Sequence, residues 1–508
     1  MNVLMMMLAA VTLVPAVRSI KESGCSTTAT NVTFVTASGI PAEGYRISVT
    51  KDGVTVTSAA EAGRFYALQT LRQLKQSDGY PCVEIEDAPA YSWRGVHFDD
   101  CRHFFGKQTL KRTLDLMAQH KFNVLHWHLT EDQGWRLDIP GYPDLVKYGA
   151  VRPSSPAHGA MSRKLPNGER TMDLDGQQYG PFYYTEADVR EILAYAAERH
   201  IKIVPEIELP GHVYAALAAY PEFACSPENL SHRHPRLIWG IEKDVLCIGN
   251  DRALKFMEDV LDYVCRLFPS EYVHIGGDEC PSERWKDCPK CRARITTEGL
   301  ADEKELQPWV TRRFVKFLED RGKRVIGWDE YLNGEIPKSA VGMSWRSAAG
   351  NGAGHKLLSP AECVERGHDM IIATHHLTYF YYGQGLPDDP FQYGGTGRPH
   401  GGGSLTLEKV YSFDPMTGIP ESGRSRILGG QCCNWSEYTW NEYDLEWKMW
   451  PRGCAMAETL WLGGDKPGFA DFRARMEIHR KRLLADGVNC APLGEAAKGV
   501  GKRVAVRY

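Results

Sequence analysis

Residues 271–280 read EYVHIGGDEC. An apolar run, Tyr272 to Ile275, ends in two glycines, and two carboxylic acids, Asp278 and Glu279, follow at once. A run this short, bounded by a turn, has the pattern of a strand buried on both faces. Two like charges at the end of a buried strand cost free energy unless something uses them. Seven further runs of the same kind surround it: RGVHF (94–98), NVLHWHL (123–129), IKIVPEI (201–207), RVIGW (324–328), VGMSW (341–345), MIIAT (370–374) and ILGGQ (427–431). Amphipathic stretches such as LKRTLDLMAQH and TEADVREILAYAAERH separate them, although the link between the sixth and seventh runs lacks a clear helical pattern. The second stretch opens with Thr185 as N-cap and Asp188 three residues on, a capping-box start. Eight strands alternating with helices predict an α/β chain folded as a (β/α)8 barrel, whose strand C-termini face the active site.

The predicted strand ends are polar or aromatic. They carry His97, Asp99 and Asp100; His126, His128, Glu131 and Asp132; Glu206, Glu208 and His212; and Asp278 with Glu279. Trp328, Asp329 and Glu330, then Trp345 and Arg346, His375 and His376, and Trp435 with Glu437 complete the mouth. Carboxylates bind hydroxyls and indole rings pack on the apolar faces of sugars, so this mouth suits a sugar pocket. Glycosidic cleavage needs a proton donor for the leaving oxygen and a group that stabilises positive charge at the anomeric carbon. Neighbouring strand residues point in different directions, so Asp278 and Glu279 do not straddle one bond as an acid and a nucleophile do. Hydrolysis in which the substrate supplies its own nucleophile fits them better. His126 and His128 share a strand face and admit a metal, with a core or supporting role as the simpler reading. His375 and His376 point to opposite faces if they lie on a strand.

The chain has 508 residues, 43% hydrophobic and 24% charged, with a net charge of -4 and no basic block; nothing in it points to a nucleic-acid partner. The start, MNVLMMMLAAVTLVPAVRS, is apolar from Val3 to Val17 and too short to span a membrane comfortably. It reads as a secretory signal peptide over 1–19, implying export to the periplasm or beyond, with a buried N-terminal strand or helix as the alternative. Residues 45–76 predict two strands around a Lys-Asp-Gly turn and a helix, part of a short α+β domain over 20–89; the barrel covers 90–490 and a tail 491–508. The 14 cysteines are mostly scattered, but Cys280, Cys288 and Cys291 cluster in CPSERWKDCPKC. The Cys288-x-x-Cys291 spacing admits half a structural zinc site, a disulfide or free thiols. Sequons occur at Asn31, Asn229 and Asn434, the last within the expected site.

The stretches RGVHFDDCRHFF, KFNVLHWHLTEDQGWR, VPEIELPGH, VHIGGDE, GWDE, SWR, GGQCCNWSE and WPRGCAMAETLW follow in this order from Arg94 to Trp461. Together they resemble the β-N-acetylhexosaminidases of glycoside hydrolase family 20. The resemblance implies a barrel preceded by a small domain, here expected to be truncated with its usual N-terminal strands missing. It implies a retaining exo-enzyme that removes terminal non-reducing β-linked GlcNAc or GalNAc from glycans through an oxazolinium intermediate, without cofactor or catalytic metal. Glu279 matches the general acid/base and Asp278 the residue that orients the 2-acetamido group. Tyr379 matches the tyrosine that binds the acetamido oxygen, and Trp328, Trp345 and Trp435 match the walls around it. Arg102, Glu131 and Glu437 match hydroxyl-binding positions, and His212 a histidine that supports the acid/base.

Three positions depart from the family pattern. Glu131 stands where an Asp is common, as does Glu208 beside His212. Tyr379-Phe380-Tyr381 replaces a common Tyr-Phe-Asp, which removes a carboxylate expected near the sugar's 6-hydroxyl. A glycine-rich stretch over 383–404 follows and reads as a long loop near the pocket. A lacto-N-biosidase, a silent sugar-binding protein and a metal-dependent barrel hydrolase are the competing readings.

Overall fold

The computed structural model describes residues 11–77, 79–166, 170–346, 358–386, 389 and 404–494. A five-stranded sheet opens the chain: β1 (Ser19–Thr27), β2 (Val32–Thr36), β3 (Tyr45–Thr50), β4 (Gly53–Ser58) and β5 (Tyr80–Asp87), ordered β1-β5-β3-β4-β2. Helix α1 (Glu61–Leu74) buries Tyr66, Leu71 and Leu74 with Ile47, Val56 and Ile85 of the sheet. The small domain is therefore not cut back to the strands expected from residue 45 onward. Its two additional strands are mostly exposed, so their sequences lack the alternation that burial of one face imposes. A disulfide between Cys25 and Cys82 ties β1 to β5.

Residues 11–18, ahead of β1, lie between this domain and the chain's last two helices. Leu13 and Val14 are buried, the Val14 backbone exchanges hydrogen bonds with the Gln73 amide, and the Ala16 N–H donates to Glu458. Arg475 and Arg482 donate to the Leu13 and Thr12 carbonyls. Val11 to Val17 thus pack against the small domain and the last two helices of the chain.

Eight parallel strands then close a barrel: β6 (Trp93–Asp99), β7 (Val124–His128), β8 (Lys202–Glu206), β9 (Tyr272–His274), β10 (Arg324–Trp328), β11 (Val341–Ser344), β12 (Met370–Ile372) and β13 (Ile427–Asn434). Each predicted run holds one of them. All residues of β6 and β7 are buried, which is why the runs are near-continuously apolar. Helices α2 (Gly106–Gln119), α3 (Glu186–Ala197), α4 (Asp251–Leu267), α5 (Pro289–Glu298), α6 (Leu306–Glu319), α7 (Pro360–Glu365), α8 (Arg452–Leu462) and α9 (Phe469–Ala485) accompany them. The Thr185–Asp188 capping box is formed at α3. The obscure sixth link holds α7, only 6 residues long and capped by Ser359 and Glu362. The register places Asp99 opposite His128, His128 opposite Glu206, and Glu206 opposite His274, a ring of polar groups at one level of the barrel. His375 and His376 begin a short helical turn, His375–Thr378, instead of ending the seventh strand.

Candidate active site

Beyond β9 the backbone turns sharply. Gly276 and Gly277 have φ of +63° and +92°, and Glu279 itself sits at +41°. A Cβ on Gly276 would lie 1.7 Å from Glu208 Oε2, and one on Gly277 would lie 2.8 Å from Tyr331 Cβ. Two consecutive glycines are thus needed to deliver the two acids over a packed floor. The left-handed backbone of Glu279 is strain of the kind held at functional sites.

His212 receives both acids. Its Nε2 lies 3.5 Å from Glu279 Oε2 and 3.8 Å from Asp278 Oδ2, while Nδ1 lies 2.9 Å from Glu131 and 3.1 Å from Asp132. Burial opposes a charge on this ring, but Glu131, Asp132 and Glu279 outweigh it and hold its pKa well above the usual histidine range. His212 is thus set between two pairs of carboxyl groups. Asp278 is pushed up to about 7, first by burial and then by the charges of Glu279, Glu206 and Glu131, against the pull of His212. Glu279 is raised by burial, but His212 and Arg346 more than offset that and hold it below the ordinary carboxylate range. Asp278 Oδ1 is buried without a hydrogen-bond partner among the described residues.

Glu206, beneath this pair, is a hub that sequence reading placed at a strand end without a role. Its carboxylate meets His128 Nδ1 at 2.6 Å, His126 Nε2 at 3.0 Å, His274 Nδ1 at 2.9 Å and Trp328 Nε1 at 2.8 Å. Burial would neutralise Glu206, yet the histidines keep its pKa well below the usual range. His128 is in turn lifted to about 10 by Glu206 and Glu131 in spite of burial, while burial takes His126 down to about 4. The His126-x-His128 pair thus shares a face, as expected, and spends it on a carboxylate.

The remaining predicted residues converge on the same mouth. Arg102 Nη2 lies 3.0 Å from Glu131 and Nη1 lies 3.2 Å from Asp99, with the guanidinium 5.0 Å from the Trp435 ring. Glu131 spends its oxygens on Arg102, His128 and His212, so it holds neighbours in place. Glu437 is part-buried, raised by burial against the opposing Arg102 charge, and its Oε2 has no partner among the described residues. Trp435 stands 5.7 Å from Trp328 and 6.0 Å from Tyr379, and Tyr379 stacks on Trp345 at 6.2 Å. Trp328, Trp345, Tyr379 and Trp435 form an aromatic box, and Tyr381 adjoins it, stacked on Tyr438. Asn434 is buried with its amide on the His97 carbonyl. Burial, with the charges of Asp278 and Glu206, pushes the pKa of Glu208, packed on Gly276, well above the usual carboxylate range. A cavity of about 330 Å³ opens beside Glu279, lined by Gln307, Glu330 and Arg346 among others.

Two sequence expectations end differently. Cys280 does not join Cys288 and Cys291: it lies against Gly211, whereas those two meet Cys225 and Cys247. Most of the loop over 383–404, residues 387–388 and 390–403, lies outside the described residues.

A barrel with paired acids and an aromatic box at its C-terminal mouth has the layout of a sugar pocket. The chain belongs to glycosyl hydrolase family 20: the model of the family's catalytic domain matches residues 91–463, and that of its domain 2 matches residues 8–88. It is 39% identical over 478 residues to a beta-hexosaminidase of Porphyromonas gingivalis, covering 91% of this chain and 56% of that protein. It is 35% identical over 421 residues to a beta-hexosaminidase of Vibrio furnissii, covering 81% of this chain and 64% of that one. The chain thus spans less than two thirds of the length of both relatives. The crystal structure of a family 20 exo beta-N-acetylglucosaminidase from Vibrio harveyi in complex with N-acetylglucosamine superposes with a TM-score of 0.80 at 27% identity, covering 95% of this chain and 78% of that one.

Proposed function

We propose that the protein is a retaining exo-β-N-acetylhexosaminidase that removes terminal β-linked GlcNAc or GalNAc by substrate-assisted catalysis. The observation that carries this is Asp278 Oδ1, a buried carboxylate oxygen without a hydrogen-bond partner among the described residues, beside the aromatic box. Such an acceptor calls for a polar N–H from the ligand, and the 2-acetamido N–H supplies one. Asp278 then orients the acetamido group and offsets the positive charge of the oxazolinium as its oxygen attacks the anomeric carbon. Tyr379 donates to that oxygen, and Trp328, Trp345 and Trp435 enclose the methyl group. Glu279, at the cavity side, protonates the leaving oxygen and afterwards activates the water that opens the oxazolinium. Arg102 and Glu437 bind ring hydroxyls, and Glu131 positions Arg102 and His212. The names of the relatives support the same substrate class.

Hydrolysis of matched chromogenic β-GlcNAc, β-GalNAc and β-glucose substrates tests the reading. Rapid cleavage of the two N-acetyl sugars with negligible glucoside cleavage is expected. Comparable glucoside cleavage would mean a protein nucleophile and would overturn it. We also propose export, with any leader cleavage falling ahead of the packed residues 12–17: the Cys25–Cys82 disulfide suits an oxidising compartment.

A further inference from the structure

We propose that Cys225, Cys247, Cys288 and Cys291 bind one structural zinc ion that staples together the two loops carrying the catalytic groups. The four sulfurs converge from three separate places in the chain, all within 4.8 Å of one another. Cys225 Sγ lies 3.7 Å from Cys291 Sγ, and Cys247 Sγ lies 3.7 Å from Cys288 and 3.8 Å from Cys291. A tetrahedral zinc–thiolate centre with bonds of about 2.3 Å has sulfur–sulfur edges of about 3.8 Å. The observed edges match that tetrahedron, whereas a disulfide brings two sulfurs to about 2.05 Å. Four sulfur ligands in tetrahedral array select zinc or iron over the oxygen-seeking ions.

The surroundings are those of a metal-binding turn. Cys288 is the N-cap of α5 and Cys291 lies in its first turn, separated by Pro289 and Lys290. The Gly249 N–H donates to Cys291 Sγ at 3.4 Å, as backbone amides do where they stabilise a thiolate. Residue 249 has to be glycine for that approach, since a Cβ there would lie 2.1 Å from the Lys290 carbonyl carbon. Cys247, Cys288 and Cys291 are buried and Cys225 is part-buried, so the centre would be shielded from solvent.

The place of the centre gives it a purpose. Cys225 and Cys247 belong to the excursion after β8, which also carries His212; Cys288 and Cys291 belong to the one after β9, which carries Asp278 and Glu279. The same two excursions are joined by the Arg284–Asp244 ion pair at 2.8 Å and by Trp285 Nε1 donating to the Leu246 carbonyl at 2.9 Å. A zinc ion cross-linking them would fix His212 against Glu279. Binding displaces the thiol protons and leaves the cysteines reduced.

The test is the metal content of the full chain, purified without added metal and measured by elemental analysis and native mass spectrometry, a readout independent of activity. One zinc per chain is expected, released when the thiols are titrated with an organomercurial. The Cys247→Ser/Cys291→Ser double variant is expected to hold none, and Cys265→Ser, which alters a cysteine outside the cluster, to hold one. Cobalt loaded in place of zinc should show the thiolate charge-transfer and ligand-field bands of a tetrahedral site. The wild-type measurements stand even if the double variant fails to fold. A reduced wild-type chain that takes up no zinc, recovery of the four cysteines as disulfides, bound iron in place of zinc, or zinc retained by the double variant would each overturn the proposal.

Discussion

Replacing Asp278 by Asn keeps a carbonyl acceptor and removes the charge. The oxazolinium then forms without its counter-ion. A unit charge about 4 Å from another, at an effective dielectric constant of about 20, contributes about 4 kcal/mol, which is about a thousandfold in kcat. The effect falls on kcat more than on KM, because the charge it offsets develops only in the transition state. The pH dependence gives a sharper signature. In the free enzyme burial and the neighbouring carboxylates push Asp278 up to about 7, while His212 holds Glu279 below the ordinary carboxylate range. The reactive form needs Asp278 ionised and Glu279 protonated, the reverse of the dominant arrangement. Between the two pKa values the gain in ionised Asp278 cancels the loss of protonated Glu279, so wild-type kcat/KM should be flat there, falling above about 7 and again below the Glu279 pKa. Asp278→Asn loses the first factor, so its kcat/KM should fall about tenfold per pH unit across the same window. The acetamido N–H bond lowers the pKa of Asp278, and a leaving sugar over Glu279 raises that of the acid, so kcat should peak under the opposite assignment of limbs. Steady-state kinetics on a chromogenic β-GlcNAc substrate measure all of this. A variant with kcat within about tenfold of wild type, or a wild-type-to-variant ratio of kcat/KM independent of pH, would refute the reasoning.

Other perturbations test neighbouring parts of the structure. His212→Ala leaves Glu131 and Asp132 short of a buried counter-charge and should cost about 3 kcal/mol in denaturant unfolding. Because the folded-state pKa of His212 is raised, its stabilisation is fully present below the unfolded value of about 6.5 and fades as pH rises through the folded one; a stability gap that widens with pH would contradict the assignment. Gly276→Ala forces a side chain into the Glu208 carboxyl at positive φ, so unfolding stability should drop by at least about 2 kcal/mol and kcat should fall with it; wild-type values for both would show that the turn is slack. Tyr381→Asp restores a carboxylate beside the box and should lower turnover of a 6-O-sulfated substrate relative to the plain one, an unchanged ratio counting against a 6-position role. Residues 12–17 should remain in the mature chain, since Gln73, Glu458, Arg475 and Arg482 bond to them; a mature N-terminus at Ser19 or Ile20, read from the intact mass, would contradict that packing.

The barrel was legible because a strand buried on both faces must be apolar along its length, and eight such runs punctuated by helices leave few other folds. Strand ends were legible as site candidates for the same reason: only there does a run like YVHIGG give way to charges. The edge strands of the small domain were not legible, because solvent on both faces imposes no pattern on SIKESGCST or VTFVT. The apolar start was ambiguous, since a signal peptide and a buried segment require the same residues. Residue type and local spacing predicted the barrel and put charged and aromatic groups, Asp278 and Glu279 among them, at its strand ends; their roles came from the family resemblance. Long-range contact alone decided that Glu206 is a histidine hub, that Glu131 faces inward to Arg102 and His212, and that Cys288 and Cys291 meet Cys225 and Cys247 instead of Cys280. Those pairings depend on barrel register and on where two loops cross in space, and neither leaves a periodic trace along the chain.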